Sequence, residues 1–192
     1  MTARLQRRLT LLDAMVLIAM IGTAVASLRG FSVADIVRLG VRPRPNLLPV
    51  LRHGLVGPLL PCGLAWTLAV LLLRFRQPRP PRRHLARQPG TVACVAAASV
   101  AGAGALALLL VMIAEFYTQT EQVALTDRFV TRFMEAMAPY MGTGVLVAWM
   151  ALVLNRTWRP ESSWIDGMGR AMGVFWVATI PVFAWPYPRL IL

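Results

Sequence analysis

Few side chains in this sequence could move a proton, hold a metal or attack an electrophile: two histidines, two cysteines and eight carboxylates among 192 residues. Metal binding or paired acid-base work would need His53 and His84 to converge, but they fall in loops at opposite ends of an apolar run. Cys62 and Cys94 lie inside apolar segments, where cysteine serves as a small buried side chain, and they define no disulfide framework or ligand cluster. All twenty basic residues are arginine, which removes Schiff-base chemistry, a lysine general base and a P-loop lysine. No HExxH, GxSxG, GxGxxG, Walker sequence, CxxC or CxxCH occurs. No catalytic, cofactor-binding or metal-ligating residue is assigned, and no cofactor is expected.

The carboxylates follow a different pattern. Asp13, Asp35, Glu121 and Asp166 each have Ser or Thr three positions earlier, where 12 Thr and 5 Ser would place fewer than one such pair by chance. This is capping-box spacing: the hydroxyl accepts from the amide three residues on, and the acid reaches back to the amide of the cap. Asp13 could pass for a functional carboxylate inside a membrane, but the spacing places it in the first turn of a helix opening at Thr10. Asp166 should open another helix at Ser163 and pair with Arg170 one turn later. Glu115 and Glu135 border apolar segments. Thr67, Ser99, Thr143 and Thr179 supply most of the polarity within such segments and are expected to bond back to their own helices.

The elements that carry these residues are long and apolar. A composition 57% hydrophobic, with mean hydropathy +0.61, exceeds that of a soluble domain of this length. Uncharged runs of about 20 residues suit helices crossing a hydrocarbon core of about 30 Å. The expected fold is all-α: one integral membrane bundle over 1–192 with about five transmembrane helices at 10–28, 54–73, 91–114, 136–154 and 164–185. Four remain if the last segment, with Pro181 inside it, does not span. Short interfacial helices should accompany them. One is 33–39, with Phe31 and Ile36 at hydrophobic-staple positions and Gly40 as a stop. The loop 115–135 carries Leu125, Phe129, Phe133 and Met137 at four-residue spacing, a stripe for the membrane surface, for neighbouring spans or for core packing.

Arginines set the orientation. Twelve fall in the N-terminal tail and in the second and fourth loops, and eight on the other side. The positive-inside rule then puts the N-terminus in the cytoplasm and the C-terminus outside a cell membrane. Tyr117, Tyr140, Trp185 and Tyr187 fall near the outer boundary, Trp158 and Trp164 near the inner one. Residues 1–26, with a basic start and Ala24-Val-Ala26 before Ser27, also fit a cleaved signal peptide; a retained first span is preferred because the run is long and contains Asp13.

Two features bear on partners. Gly102 and Gly104, in the Ala-rich first half of the third span, and Gly169 and Gly173, a GxxxG pair in the fifth, would allow close helix approach, within the chain or in a homo- or hetero-oligomer; Gly22 to Ala26 is a weaker version. The basic loop 74–88, broken by prolines, holds Arg74, Arg76, Arg79, Arg82, Arg83 and Arg87, expected to contact anionic lipid headgroups at the bilayer surface. Nucleic acid is disfavoured as a partner because no aromatic or fold motif accompanies the charge.

The opening Arg7-Arg-Leu-Thr-Leu-Leu-Asp-Ala-Met-Val-Leu-Ile-Ala19 resembles the start of multi-pass membrane proteins of planctomycete-type bacteria. That resemblance covers the first span, implies a bacterial membrane origin and brings no activity. The leading expectation is a multi-pass, non-enzymatic accessory or structural subunit. A small oligomeric transporter or channel is the alternative, and a membrane-embedded enzyme the third.

Overall fold

The computed structural model describes residues 10–29, 47–76, 82–118 and 123–184. They form α1 (Leu11–Arg29), α2 (Leu47–Phe75), the single turn α3 (Arg82–Leu85), α4 (Pro89–Thr118), α5 (Val123–Leu154) and α6 (Trp164–Ala184), with no strand among the described residues. The chain is all-α. The expected helix at 33–39 lies outside those residues, as do residues 1–9 of the possible signal peptide, whose boundary at Ala26 falls within α1.

Local chemistry explains where the helices start. Thr10 and Asp13 form a complete capping box: Asp13 N–H donates to Thr10 Oγ1 (3.3 Å) and Thr10 N–H to Asp13 Oδ2 (3.0 Å). Pro89 takes the first position of α4, where its missing N–H costs nothing, and the Gln88 carbonyl accepts from Val92 (3.0 Å). At α6, Ser163 Oγ accepts from the Asp166 amide (3.3 Å).

Two expected boundaries are corrected. α2 begins at Leu47, so Arg52 and His53 stand on a helix and not in a loop. The apolar residues Leu47, Leu48, Val50 and Leu51 continue the pattern backwards, and Pro49 in the first turn sacrifices no intrahelical bond. α5 begins at Val123, so 123–135 is the first part of the same helix that carries 136–154, not a surface loop. Its four-residue apolar spacing is the helical repeat itself, and Phe133 and Met137 pack on Gly104 of α4.

Helices α4, α5 and α6 pack against one another, α2 lies against α4 and α6, and α1 lies along α2. One buried cluster joins Leu60, Ala93, Ala97, Met137, Met141, Val145 and Trp176; a second joins Val70, Leu73, Cys94 and Ile165. Glycines set the closest approaches. A Cβ on Gly169 would lie 2.6 Å from the Gly90 carbonyl oxygen, and one on Gly173 would lie 2.9 Å from Ala93 Cβ. The GxxxG pair is therefore occupied by its own chain, by α4 at Gly169 and by Trp149 of α5 together with Ala93 of α4 at Gly173. Gly104 is filled by Met137 and Phe133, whereas Gly102 and Gly22 have nothing within 4 Å of a Cβ position. Gly63 against Trp176, Gly142 against the Trp176 carbonyl and Gly144 against Val100 complete the set.

Two stretches among the described residues are long and apolar enough to cross a membrane, Pro89–Ala114 and Ala136–Leu154. The apolar parts of α1 and α2, Asp13–Gly22 and Leu60–Phe75, are shorter. Five helices stand where five spans are expected, but two meet the length and apolarity of a span.

Candidate functional site

Five helix ends meet at one end of the molecule: the starts of α1, α4 and α6 and the ends of α2 and α5. A group of polar residues gathers there because each lies within a turn or two of a terminus. Arg74 and Arg76 end α2, Gln88 and Thr91 begin α4, and Ser163, Asp166 and Arg170 begin α6.

Asp166 is the centre of this cluster. Its residue is 1% exposed, and its Oδ1 accepts from the Gly90 amide (3.0 Å) while Oδ2 accepts from the Glu161 amide (3.2 Å). The reciprocal arm of the Ser163 capping box thus reaches two residues beyond the cap to Glu161. Because Gly90 is the second residue of α4, one carboxylate stands at the positive ends of two helix dipoles, its own and a neighbour's. Arg170 Nε lies 3.4 Å from Oδ2, which is ion-pair distance, without the alignment of a hydrogen bond. The expected i,i+4 pair is present in that form.

Beside it, Arg74 donates to Gln88 Oε1 and to Glu161 Oε2. Gln88 Nε2 donates to the same Glu161 oxygen at 2.7 Å, and Thr91 Oγ1 donates to Gln88 Oε1 at 3.2 Å. The two feet of the loop 74–88 are thereby joined to each other and to the loop preceding α6. Arg74 Nε and Trp164 Nε1 are buried nitrogens without a hydrogen-bond partner in the protein. On the other flank, Arg76 ion-pairs with Asp13 at 2.9 Å and donates to Thr10 Oγ1 at 3.2 Å, fastening α1 to the end of α2. The Asp13 side chain is fully buried.

The chain matches no protein-family model, no curated protein and no solved structure.

The chemistry of the cluster is cohesive. Its three acids, Asp13, Glu161 and Asp166, are each paired with an arginine, and they accept further hydrogen bonds from backbone amides or from Gln88. No group of three or more His, Cys, Asp or Glu able to hold a metal occurs among the described residues. His53 and His84 do not meet: 21 residues of helix, roughly 30 Å at 1.5 Å per residue, separate His53 from Arg74 at the end where His84 lies. Cys62 and Cys94 are not joined, and Cys94 fills the second apolar cluster. Glu115 and Glu135 stand on α4 and α5, away from this end.

Thr67 and Thr143 donate to their own helices, at Gly63 (2.8 Å) and Pro139 (2.9 Å). Thr179 donates to Trp176 (2.6 Å) and also to Ala138 of α5 (2.9 Å), and Trp176 Nε1 donates to Thr67 Oγ1 (3.0 Å), so two of these hydroxyls bridge helices as well. Among the six arginines expected at a lipid surface, Arg74 is buried and Arg76 is committed to Asp13, whereas Arg87 is exposed. Arg82 and Arg83 lie on α3, and Arg79 is outside the described residues.

Sequence reasoning did not single out Arg74, Arg76, Gln88 and Glu161 as a network, nor Gly63, Gly90 and Gly142 as contact points. The network joins positions 14 to 87 residues apart, and no local spacing encodes such a partner.

Proposed function

We propose that the chain is a multi-pass helical membrane protein with a non-enzymatic, structural or accessory role, its clamped end in the cytoplasm. One observation carries this reading: large apolar side chains cover the outside of the long helices, while charged groups are buried and paired beside an apolar core. Large apolar side chains face outward on every long helix, including Leu11 and Ile18 of α1, Leu72 of α2, Leu106 and Leu109 of α4, Val147 and Leu154 of α5 and Val174 of α6. The buried set, by contrast, includes Asp13, Thr67, Arg74, Gln88, Thr91, Asp166 and Thr179. In water such an apolar girdle would be a severe aggregation liability; in lipid it is the solvent-matched surface, and the polar groups must turn inward and bond to one another. Pairing within the clamp neutralises the charges of Asp13, Arg74 and Asp166, which would otherwise be costly beside the membrane.

The role follows from what the buried polar groups do. The ion pairs of Arg74 and Arg76 and the Asp166 bond to the Gly90 amide tie one element to another, and the buried carboxylates act as fastenings. Orientation rests on the arginine count, since twelve of the twenty fall in the tail and loops that adjoin the clamped helix ends in sequence.

Alkaline carbonate extraction of native membranes should leave the protein in the pellet, and blue-native electrophoresis in mild detergent should place it in an assembly larger than a single chain. Release by carbonate would contradict the membrane reading. Retention with migration as a lone chain would contradict the accessory role.

A further inference from the structure

The clamp has a consequence for the charges it leaves over. At the end where Asp13, Glu161 and Asp166 are all paired internally, Arg87, Arg156 and Arg159 are exposed, and none of the three is paired with an acid by a described ion pair. They are also held together. The Arg159 amide donates to the Arg87 carbonyl (3.0 Å), joining the second loop to the fourth. Trp158, between Arg156 and Arg159, packs edge-on against Trp149 at 5.8 Å between ring centroids, and Trp149 Nε1 in turn donates to the Pro89 carbonyl at 2.9 Å.

Arg156 occupies an unusual backbone position. It closes α5 in a Schellman arrangement, with Thr157 N–H donating to the Leu152 carbonyl and Arg156 N–H to the Val153 carbonyl, both at 3.0 Å. The motif requires a left-handed residue and normally takes glycine; here φ is 52° on an arginine. A side chain retained where glycine is cheaper points to a use for that side chain.

We infer that Arg87, Arg156 and Arg159, with Trp158 beside them, form a binding surface for the phosphate groups of acidic phospholipids in the cytoplasmic leaflet. Its depth suits that partner: Arg87 and Arg156 each lie two residues beyond an apolar stretch long enough to cross the membrane, at Pro89 and Leu154 respectively. Arginine forks match phosphate geometry, and tryptophan favours the headgroup boundary. The surface replaces Arg74 and Arg76, which the clamp consumes, and adds the fourth loop to the second. The inference rests on the membrane reading above.

The test uses the purified full chain in a neutral detergent, titrated separately with phosphatidylglycerol and phosphatidylcholine, with bound lipid counted by native mass spectrometry. Phosphatidylglycerol should bind preferentially. The triple variant Arg87→Gln, Arg156→Gln, Arg159→Gln should lose roughly a hundredfold in affinity for it, from the attraction contributed by each surface arginine. The variant Arg42→Gln, Arg44→Gln in the first loop should bind as the parent does. Equal binding of both lipids by the parent, or undiminished binding by the triple variant, would overturn the inference. Neither result would return the chain to the carbonate supernatant, so failure here is separable from failure of the membrane reading. Native-like mobility of the triple variant in the same detergent establishes that it is folded.

Discussion

At the scale of single residues, Asp166 does the most. Its carboxylate satisfies two backbone amides in a setting with little access to water, so removing it leaves both donors unsatisfied. Asp166→Ala should lower stability in detergent by roughly 3 kcal/mol, and Asp166→Asn, which keeps one acceptor oxygen, by about half as much. Thermal unfolding followed by helical circular dichroism reads both. Arg156→Gly should go the other way, raising stability by about 1 kcal/mol through relief of the left-handed backbone, while weakening phosphatidylglycerol binding in the titration above. The local half of this chemistry is legible in the sequence, because a capping box is a three-residue spacing: Thr10 with Asp13 and Ser163 with Asp166 declare themselves. Their distant partners do not. Arg76 is 63 residues from Asp13 and Gly90 is 76 from Asp166, and those meetings depend on how helices pack, for which side-chain type alone gives no register.

At the scale of elements, glycine content separates contact from free surface. Gly169 faces the Gly90 backbone, which cannot yield as a side-chain tip can; Gly169→Ala should destabilise the α4–α6 pair by about 1–3 kcal/mol. Gly102 meets nothing within 4 Å, so Gly102→Ala should be neutral, or stabilising by up to about 1 kcal/mol from helix propensity. Chemical denaturation of the two variants under the same detergent conditions gives the comparison. The GxxxG pair at Gly169 and Gly173 can be read from its spacing, but Gly63 and Gly142 stand alone in apolar runs, where a glycine in a contact and a glycine facing lipid have the same neighbours in sequence. Helix positions were mostly legible for the same reason that capping was: apolar runs and caps are local. The start of α2 and the continuity of α5 were not, because Pro49 and the charged residues between 127 and 135 look like breakers in a linear reading, yet a first-turn proline costs no intrahelical bond and charged residues have no aversion to a helix.

At the scale of the whole molecule, large apolar side chains face outward along the helices around an apolar core, and a cluster of paired charges sits at one end. Composition anticipates the apolar surface, and the alternation of arginine-rich segments anticipates which ends come together. Neither shows that five distant segments share one polar clamp, which is a property of the packed bundle. The most direct test of this arrangement is labelling by a membrane-impermeant maleimide in inverted membrane vesicles, after replacing Cys62 and Cys94 by alanine. Leu109 is 53% exposed on α4, so Leu109→Cys would react readily if the bundle stood in water. Leu109→Cys should stay unlabelled until detergent is added, and Arg159→Cys should label at once from the cytoplasmic face. Labelling of Leu109→Cys in intact vesicles as fast as Arg159→Cys would contradict this arrangement.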